Sequence, residues 1–467
     1  MKLTKRDLLK VPHKRFLHAG GFAGTPIRGV STDSRTTGAG DVFVALRGEN
    51  FDGHAFVAAA FARGAVAAIV DESYAAPPES PHPLLVVGDA AVALGELARI
   101  YRDRFSIPVL VVAGSNGKTT TKEMIAQVLR EKYRVLHTEG NLNNHVGVPQ
   151  TLFRLTARHE IAVIEIGTNH PGELRHLCGV VGATHALLTN IGREHLEFFG
   201  SLEGVAREEG EVFASLRASS RGTGIVNADD ARVREAAKGI RKAIAYGFRA
   251  RRAEVRGRRI AIDASGCARF EFRTPRMGRW LRVQLRIAGT HSATNALAAI
   301  AAGHAFNVPA PRMCSALEGF RAAGRRMEAL SIGGVAVLND TYNANPDSMS
   351  AALRTLAATA GAGRRIAVLG DMKELGDHAE EAHAAIGREA ASLGVDFLLT
   401  YGALAQGIHD ASGIPGAIHY DQKNILAEYL AELVSPGDTV LVKGSRSMRM
   451  EDIVIFLEQR RGSAAKV

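Results

Sequence analysis

The stretch AGSNGKTTTKE, residues 113–123, carries half of a phosphate-binding loop. Gly117, Lys118 and Thr119 match the end of the pattern G-x-x-x-x-G-K-[S/T], while Val112 holds the place of its first glycine. Backbone amides of Gly114, Ser115, Asn116, Gly117, Lys118 and Thr119 at a helix N-terminus would suit phosphate oxygens, because unsatisfied N–H groups and the helix dipole both favour an anion there. The Lys118 ammonium would neutralise phosphate charge, and the Thr119 hydroxyl suits Mg²⁺. The competing reading is a chance Gly-Lys-Thr in a surface turn. Two further side chains have types that serve such a loop. Glu165 ends the apolar run IAVIEIG, where the C-terminal edge of a strand offers a carboxylate to a metal. His195, in NIGREHLEFFG, follows another strand, and a neutral imidazole is a metal ligand. Taken singly, an acid at a strand end is often just a solvated residue, and a lone histidine is more often structural than a ligand.

Elements must hold these positions. Pro108 opens the run VLVVA, which leads into the loop, and TKEMIAQVLREKY beyond it has helical apolar spacing. Strand, glycine loop and helix thus follow in the order a phosphate loop requires. IAVIEIG, THALLTNIG and GIVNADD are further strands, separated by segments long enough for crossover helices, which predicts a mostly parallel sheet. Upstream, GDVFVALRG and HAFVAAAFARGAVAAIV predict a strand, a helix and a strand in a small α/β unit. Pro77, Pro78, Pro81 and Pro83 mark a loop after it, and AVALGELARIYRDRF reads as a helix. From about Gly324, the runs GVAVLND, RIAVLGDM, DFLLTYG and DTVLVKGS alternate with helical stretches, as in a Rossmann-like domain. The fold class is therefore α/β with three domains, divided as residues 1–106, 107–323 and 324–467. A chain of 467 residues is too long for one ordinary core.

With 46% hydrophobic residues, the composition is that of a compact protein rather than a disordered or fibrous one. The N-terminus MKLTKRDLLKVPHKRF is basic throughout and has no apolar signal core, and no stretch approaches the ~18 apolar residues of a membrane span. That predicts a cytoplasmic protein. Cys178, Cys267 and Cys314 are far apart without ligand spacing, so they are expected to be buried thiols rather than a disulfide framework or a zinc site. The net charge of +10 is concentrated between Arg241 and Arg286, where fourteen Lys/Arg meet three acids. There RFEFR and WLRVQLRI alternate apolar and basic residues, the period of half-buried strands with a wet face. A nucleic-acid groove would want exposed aromatics among the arginines, so no nucleic-acid partner is expected. The rival class is a basic P-loop ATPase that binds nucleic acid, with steeply salt-sensitive binding.

Taken together, GSNGKTTTKE, EGNLNNHVGVPQTL, IEIG, TNIGREHLEFFGSLEGVA, TNALAA, LNDTYNANPDSM, LGDMKELG and LVKGSRSMRM, in this order and spacing, resemble the Mur ligases. STDSRTTGAGDVFVALRGENFDGH is similar to the nucleotide-sugar domain of the member that adds D-alanyl-D-alanine, so the resemblance spans almost the whole chain. It implies an ATP-dependent amide ligase acting on UDP-MurNAc-tripeptide and D-alanyl-D-alanine, as a monomer, with Mg²⁺. ATP would phosphorylate the tripeptide carboxylate, the dipeptide amine would attack the acyl phosphate, and a tetrahedral intermediate would release phosphate. By the same resemblance Lys118, Thr119 and Thr120 hold phosphates, Thr119 with Glu165 ligates one Mg²⁺, and His195 ligates a second. Asn295 would contact adenine, and Arg326 would reach the phosphates, with adjacent Arg325 the alternative. Asp340 and Asn345 would face nucleotide and dipeptide across a cleft. Ser34 and Arg35 would contact the uridine nucleotide, and Asn143, Asn144 and Tyr342 the substrates. Hinges are expected near residues 105–108 and 322–326. The nearest rivals are sister ligases, either the one that adds the third amino acid or a folate polyglutamylating enzyme; the former usually carries Asp-Asn-Pro-Arg, where this chain reads YNANPDSM without the arginine.

Three departures matter. Val111 and Ala113 stand where the family usually has glycine and threonine, and Ser292 replaces an asparagine three residues before Asn295. In GSLEGVAREEGEVF, Glu209 takes the place of a lysine that the family carbamylates to help hold the second Mg²⁺. Glutamate has the same kind of oxygen ligands on a shorter stem and needs no CO₂. Glu209, or neighbouring Glu208, is therefore expected to supply that anion; the alternative is a solvated helix residue.

Overall fold

The computed structural model describes residues 3–22, 26–48, 51–75, 81–217, 222–263, 265–321, 324–359, 363–462 and 465–466. Pro77 and Pro78, and residues 322 and 323 of the second expected hinge, lie outside them. The chain forms two compact units. One comprises Met1–Val111, Tyr133–Thr168 and Gly172–His185, and the other Val112–Lys132, Asn169–Pro171 and Ala186–Val467.

In the first unit, a five-stranded sheet runs in the order Arg15–Leu17, Leu84–Val87, Ala67–Asp71, Asp41–Val44, Gly29–Ser31. Its first pair is antiparallel and the rest are parallel. The fully buried run Leu84–Val87 and the core of Phe43, Ala68 and Val70 explain why these segments read as continuous apolar stretches. The same unit holds the parallel pair Val135–His137 and Ile161–Glu165.

In the second unit, Thr223–Asn227, Lys242–Gly247 and Val255–Ile262 pair in parallel. Val255–Ile262, Cys267–Arg273 and Leu281–Ala288 then continue as an antiparallel meander. Helix Lys118–Arg130 buries Met124, Ile125, Val128 and Leu129, the i, i+1, i+4, i+5 stripe of an amphipathic helix, and packs on helix Thr290–Ala305. Gln127 ties it further by donating to the Ala316 carbonyl at 2.6 Å. A seven-stranded sheet forms the C-terminal part, in the order Ala417–Tyr420, Phe397–Tyr401, Arg365–Gly370, Thr439–Lys443, Val335–Asp340, Glu328–Ile332, Ala465–Lys466. Its first five strands are parallel, as the alternation of apolar runs with helical stretches predicts. Just past the second expected hinge, Arg325 and Met327 take left-handed backbone at φ +60° and +50°, a conformation uncommon outside glycine.

Cys178 and Cys267 are buried, as expected, but Cys314 is partly exposed. Among the described residues no helix is long and apolar enough to cross a membrane.

Candidate active site

The glycine loop joins strand Val109–Ala113 to helix Lys118–Arg130. Val112 lies in the buried strand, so the position that breaks the full pattern is not part of the turn. The turn is made by Gly114, at φ +115°, and by Gly117, at φ +78°. A Cβ on Gly114 would stand 2.4 Å from Thr189 Oγ1, which explains why this glycine is needed. The segment after strand His185–Leu188 laces the loop in place. Ser115 N–H donates to the Asn190 carbonyl at 2.9 Å, and Asn116 N–H to Asn190 Oδ1 at 3.1 Å. Asn190 Nδ2 in turn donates to the Asn116 carbonyl at 2.9 Å, and Gly192 N–H to Ser115 Oγ at 2.8 Å. Thr119 and Thr120 begin the helix behind it. Asn295, buried on helix Thr290–Ala305, approaches Gly117 so closely that a Cβ there would lie 2.8 Å from its Oδ1. Ser292 is buried and donates to the Ala288 carbonyl at 2.7 Å, so the residue standing for asparagine serves its own helix.

Lys118 Nζ lies 3.2 Å from Glu194 Oε2 and 3.4 Å from the Ser115 carbonyl. Beside Glu194 is Glu209, which is fully buried and so is not a solvated helix residue. The helix Leu202–Arg217 places it there, because Val205, Val212, Phe213 and Leu216 form its buried stripe and position 209 falls on it. Glu208 is also buried. Burial, and then the charge of Glu194, push the Glu209 carboxyl well above the ordinary carboxylate range. Burial works to raise Glu194 too, but Lys118 and then His195 outweigh it and hold that carboxyl low.

Both Glu209 oxygens and Glu194 Oε1 are buried without a hydrogen-bond partner among the described residues. Two carboxyl groups facing one lysine, with orphaned oxygens, form a donor set that fits a divalent cation. No group of three or more metal-ligating side chains is assembled among the described residues. His195, at φ +47°, has Nδ1 2.5 Å from Glu374 Oε2 and Nε2 3.9 Å from Glu194 Oε2. In the first unit, Glu165 closes its strand fully buried and accepts from Asn143 Nδ2 at 2.8 Å. Asn144 Oδ1 accepts from the Gly147 amide at 2.9 Å, at the start of helix Gly147–Phe153. Ser34 and Arg35 lie in an exposed turn where the Arg35 guanidinium grips Asp33 and lowers its carboxyl to about 2.

The C-terminal part reaches the loop through helix Pro346–Ala358. Asn345, its N-cap, donates from Nδ2 to Asn116 Oδ1 at 3.0 Å, and Asp347 takes the Arg193 amide at 2.6 Å and its guanidinium at 2.7 Å. NANPD is thus a helix start rather than a free turn. The two adjacent arginines separate by partner: Arg325 Nη1 lies 2.5 Å from Glu451 Oε1, whereas Arg326 stacks 3.6 Å from the centre of the Tyr342 ring. Asp340 accepts from buried Lys443 Nζ at 2.6 Å and from the Met327 amide at 3.0 Å. Sequence reasoning missed Glu194, Asp347 and Glu374. The charged strings GREH, NPDSM and MKELG hold them, but only folding shows which faces Lys118, Arg193 or His195.

A glycine loop capped by lysine at a helix head, with buried carboxyl groups beside the lysine, defines a P-loop α/β protein that handles nucleotide phosphate. Three family models match: the Mur ligase family catalytic domain at residues 26–102, the Mur ligase middle domain at 112–303 and the Mur ligase glutamate ligase domain at 325–446. The chain belongs to the Mur ligase family. It is 36% identical to the UDP-N-acetylmuramoyl-tripeptide–D-alanyl-D-alanine ligase of Bacillus subtilis over 93% of each chain. It is 37% identical to the ligase of that name from Escherichia coli, over 92% of this chain and 93% of the other. Among solved structures, MurF from Acinetobacter baumannii superposes with a TM-score of 0.89 at 33% identity, covering 98% of this chain and 99% of that one. MurF ligase from Thermotoga maritima, in complex with ADP, gives 0.82 at 28% identity, covering 93% and 98%. The α/β, three-domain reading of the sequence agrees with this architecture.

Proposed function

We propose that this protein is the ligase that joins D-alanyl-D-alanine to UDP-MurNAc-tripeptide with ATP, through an acyl phosphate, as a monomer in the cytoplasm. The observation that carries this reading is the match, over nearly the full length, to relatives whose names specify that dipeptide. A carboxylate is a poor electrophile, and its charge repels ATP. Phosphorylation by the γ-phosphate makes it an acyl donor, the dipeptide amine attacks, and the tetrahedral intermediate collapses to amide and phosphate. Lys118 and the amides of Gly117, Lys118 and Thr119 are assigned to the phosphates, where fixed positive charge lowers the barrier most, while the Ser115 and Asn116 amides are taken up by Asn190 and shape the loop. Thr120, Asn295, Arg326 and Asp340 are assigned to the nucleotide, and Ser34, Arg35, Asn143, Asn144, Tyr342 and Asn345 to the two substrates. Thr119, Glu165, His195 and Glu209 are the residues we assign to Mg²⁺, which when bound would screen the anions being joined. The domain limits 1–106, 107–323 and 324–467 are supported by the three matched ranges.

The sister enzyme that adds the third amino acid is disfavoured by one contact. Its arginine would fall at position 347, directly after Pro346, where this chain has an aspartate bound to Arg193 at 2.7 Å. An arginine there would meet a like charge. Phosphate release from ATP in bicarbonate-free buffer tests the reading, measured with UDP-MurNAc-tripeptide, D-alanyl-D-alanine, both or neither. Release only with both, and a product heavier by the dipeptide residue, is expected. Release without the dipeptide, or release driven by nucleic acid, would overturn it.

A further inference from the structure

None of the residues assigned to this chemistry lies in the arginine-rich segment. Its strands Val255–Ile262, Cys267–Arg273 and Leu281–Ala288 bury Phe270, Phe272 and Val283 on one face, against helix Thr290–Ala305, and turn the other outward. On the outer face Arg256 stands directly opposite Arg273, and Arg282 opposite Glu271. Glu271, the only acid in these three strands, is already held by Arg258 at 2.8 Å and Arg259 at 3.3 Å. Arg256, Arg269, Arg273 and Arg282 are all exposed, and among the described residues none has an acid partner. Like charges set directly opposite in a sheet repel, so this face carries a cost that the chain itself does not offset.

We propose that the face docks on an anionic lipid surface. Charge complementarity and shape support that occupant. Three strands of seven or eight residues span about 25 Å, and among the described residues between Val255 and Ala288 there is no helix to enter a nucleic-acid groove. The single tryptophan, Trp280, has Arg258 4.1 Å from its ring centre and Arg273 5.9 Å away, so it presents no open platform for a stacked base. An indole among guanidiniums suits the headgroup level of a bilayer, and exposed Ile260 adds an apolar side chain on the strand that carries Arg258. Anionic lipid attracts such a cluster at short range and in a salt-dependent way.

Co-sedimentation of the full chain with vesicles tests this, comparing phosphatidylcholine alone with a mixture holding about 30 mol% phosphatidylglycerol. Binding at least about tenfold tighter to the anionic vesicles is expected, falling away near 0.5 M NaCl. The triple change Arg256→Glu, Arg273→Glu, Arg282→Glu should abolish it while leaving ligase activity intact. If that variant fails to fold, the neutral set Arg256→Gln, Arg273→Gln, Arg282→Gln serves, with an expected loss of about tenfold. Equal binding to neutral vesicles, binding unchanged by folded variants, or capture of a single-stranded oligonucleotide in place of vesicles would each overturn the proposal. Because ligase activity is read separately, failure here leaves the proposed reaction untouched.

Discussion

Two regions of this molecule concentrate charge, and they do so in opposite ways. Beside the glycine loop, Glu194 and Glu209 are buried around the single ammonium of Lys118. On the outer strands, Arg256, Arg269, Arg273 and Arg282 are exposed and, among the described residues, without acid partners. In water the repulsion between two charges at contact is worth about 1 kcal/mol, whereas with less solvent it is several times larger. The exterior face therefore tolerates its excess. The interior cannot, and burial together with the Glu194 charge pushes the Glu209 carboxyl well above the ordinary carboxylate range.

The comparison can be broken most sharply at Lys118. Lys118→Ala leaves two acids with no cation and removes the group assigned to the phosphates. Phosphate release with both substrates present should fall by about 10²–10³-fold or more. A fall under tenfold would move the chemistry elsewhere.

Glu209→Gln probes the same interior through stability. The folded-state pKa of Glu209 is raised, so above the ordinary value of about 4.5 the folded chain holds a proton that the unfolded chain releases. Metal-free stability therefore declines as pH rises from there toward the folded pKa. Glu194, whose pKa is lowered, adds no slope in that window, since its contribution is lost only as pH falls further. Glutamine at 209 removes the decline and should stabilise the EDTA-treated protein at pH 8 by about 1–3 kcal/mol, read as a higher Tm. Added Mg²⁺ should raise the Tm of the parent more than that of the variant. If the parent and the variant respond alike to Mg²⁺, Glu209 is not a ligand.

Asp347 sharpens the contrast from between the extremes. Its pair with Arg193 is half exposed, at 37% and 46% side-chain exposure, so Asp347→Ala should cost under about 1 kcal/mol in thermal stability. The same change should raise KM for ATP severalfold with a smaller change in kcat, because the contact holds the segment that laces the loop.

Much of this was legible beforehand. Apolar runs marked most of the parallel strands, though not Gly29–Ser31, Leu84–Val87, Val135–His137, Lys242–Gly247 or Ala417–Tyr420, and the glycine spacing located the loop even though Val112 breaks the full pattern. The burial of Glu209 was written in the stripe of Val205, Val212, Phe213 and Leu216, had that periodicity been carried across the acid run. By contrast VRGRRIAI has too many arginines to read as a strand, since its outer face is charged and Gly257 interrupts the inner one. The partners of Lys118, Arg193 and His195 come from distant segments, and no local pattern encodes which acid will arrive. Nor could sequence foresee that Arg325 and Arg326 would take different partners, Glu451 for one and Tyr342 for the other.

The amide of Asn345 is used in two directions at once. Its oxygen accepts the Ser348 amide at 2.8 Å and starts a helix, while its nitrogen donates to Asn116 in the glycine loop at 3.0 Å. Aspartate would begin the helix equally well, yet it would set an acceptor against the Asn116 oxygen. Neither serine nor threonine is long enough to do both. Two ordinary requirements thus meet at this position and favour asparagine, and a library screened for stability alone would accept replacements there that a screen for turnover would reject.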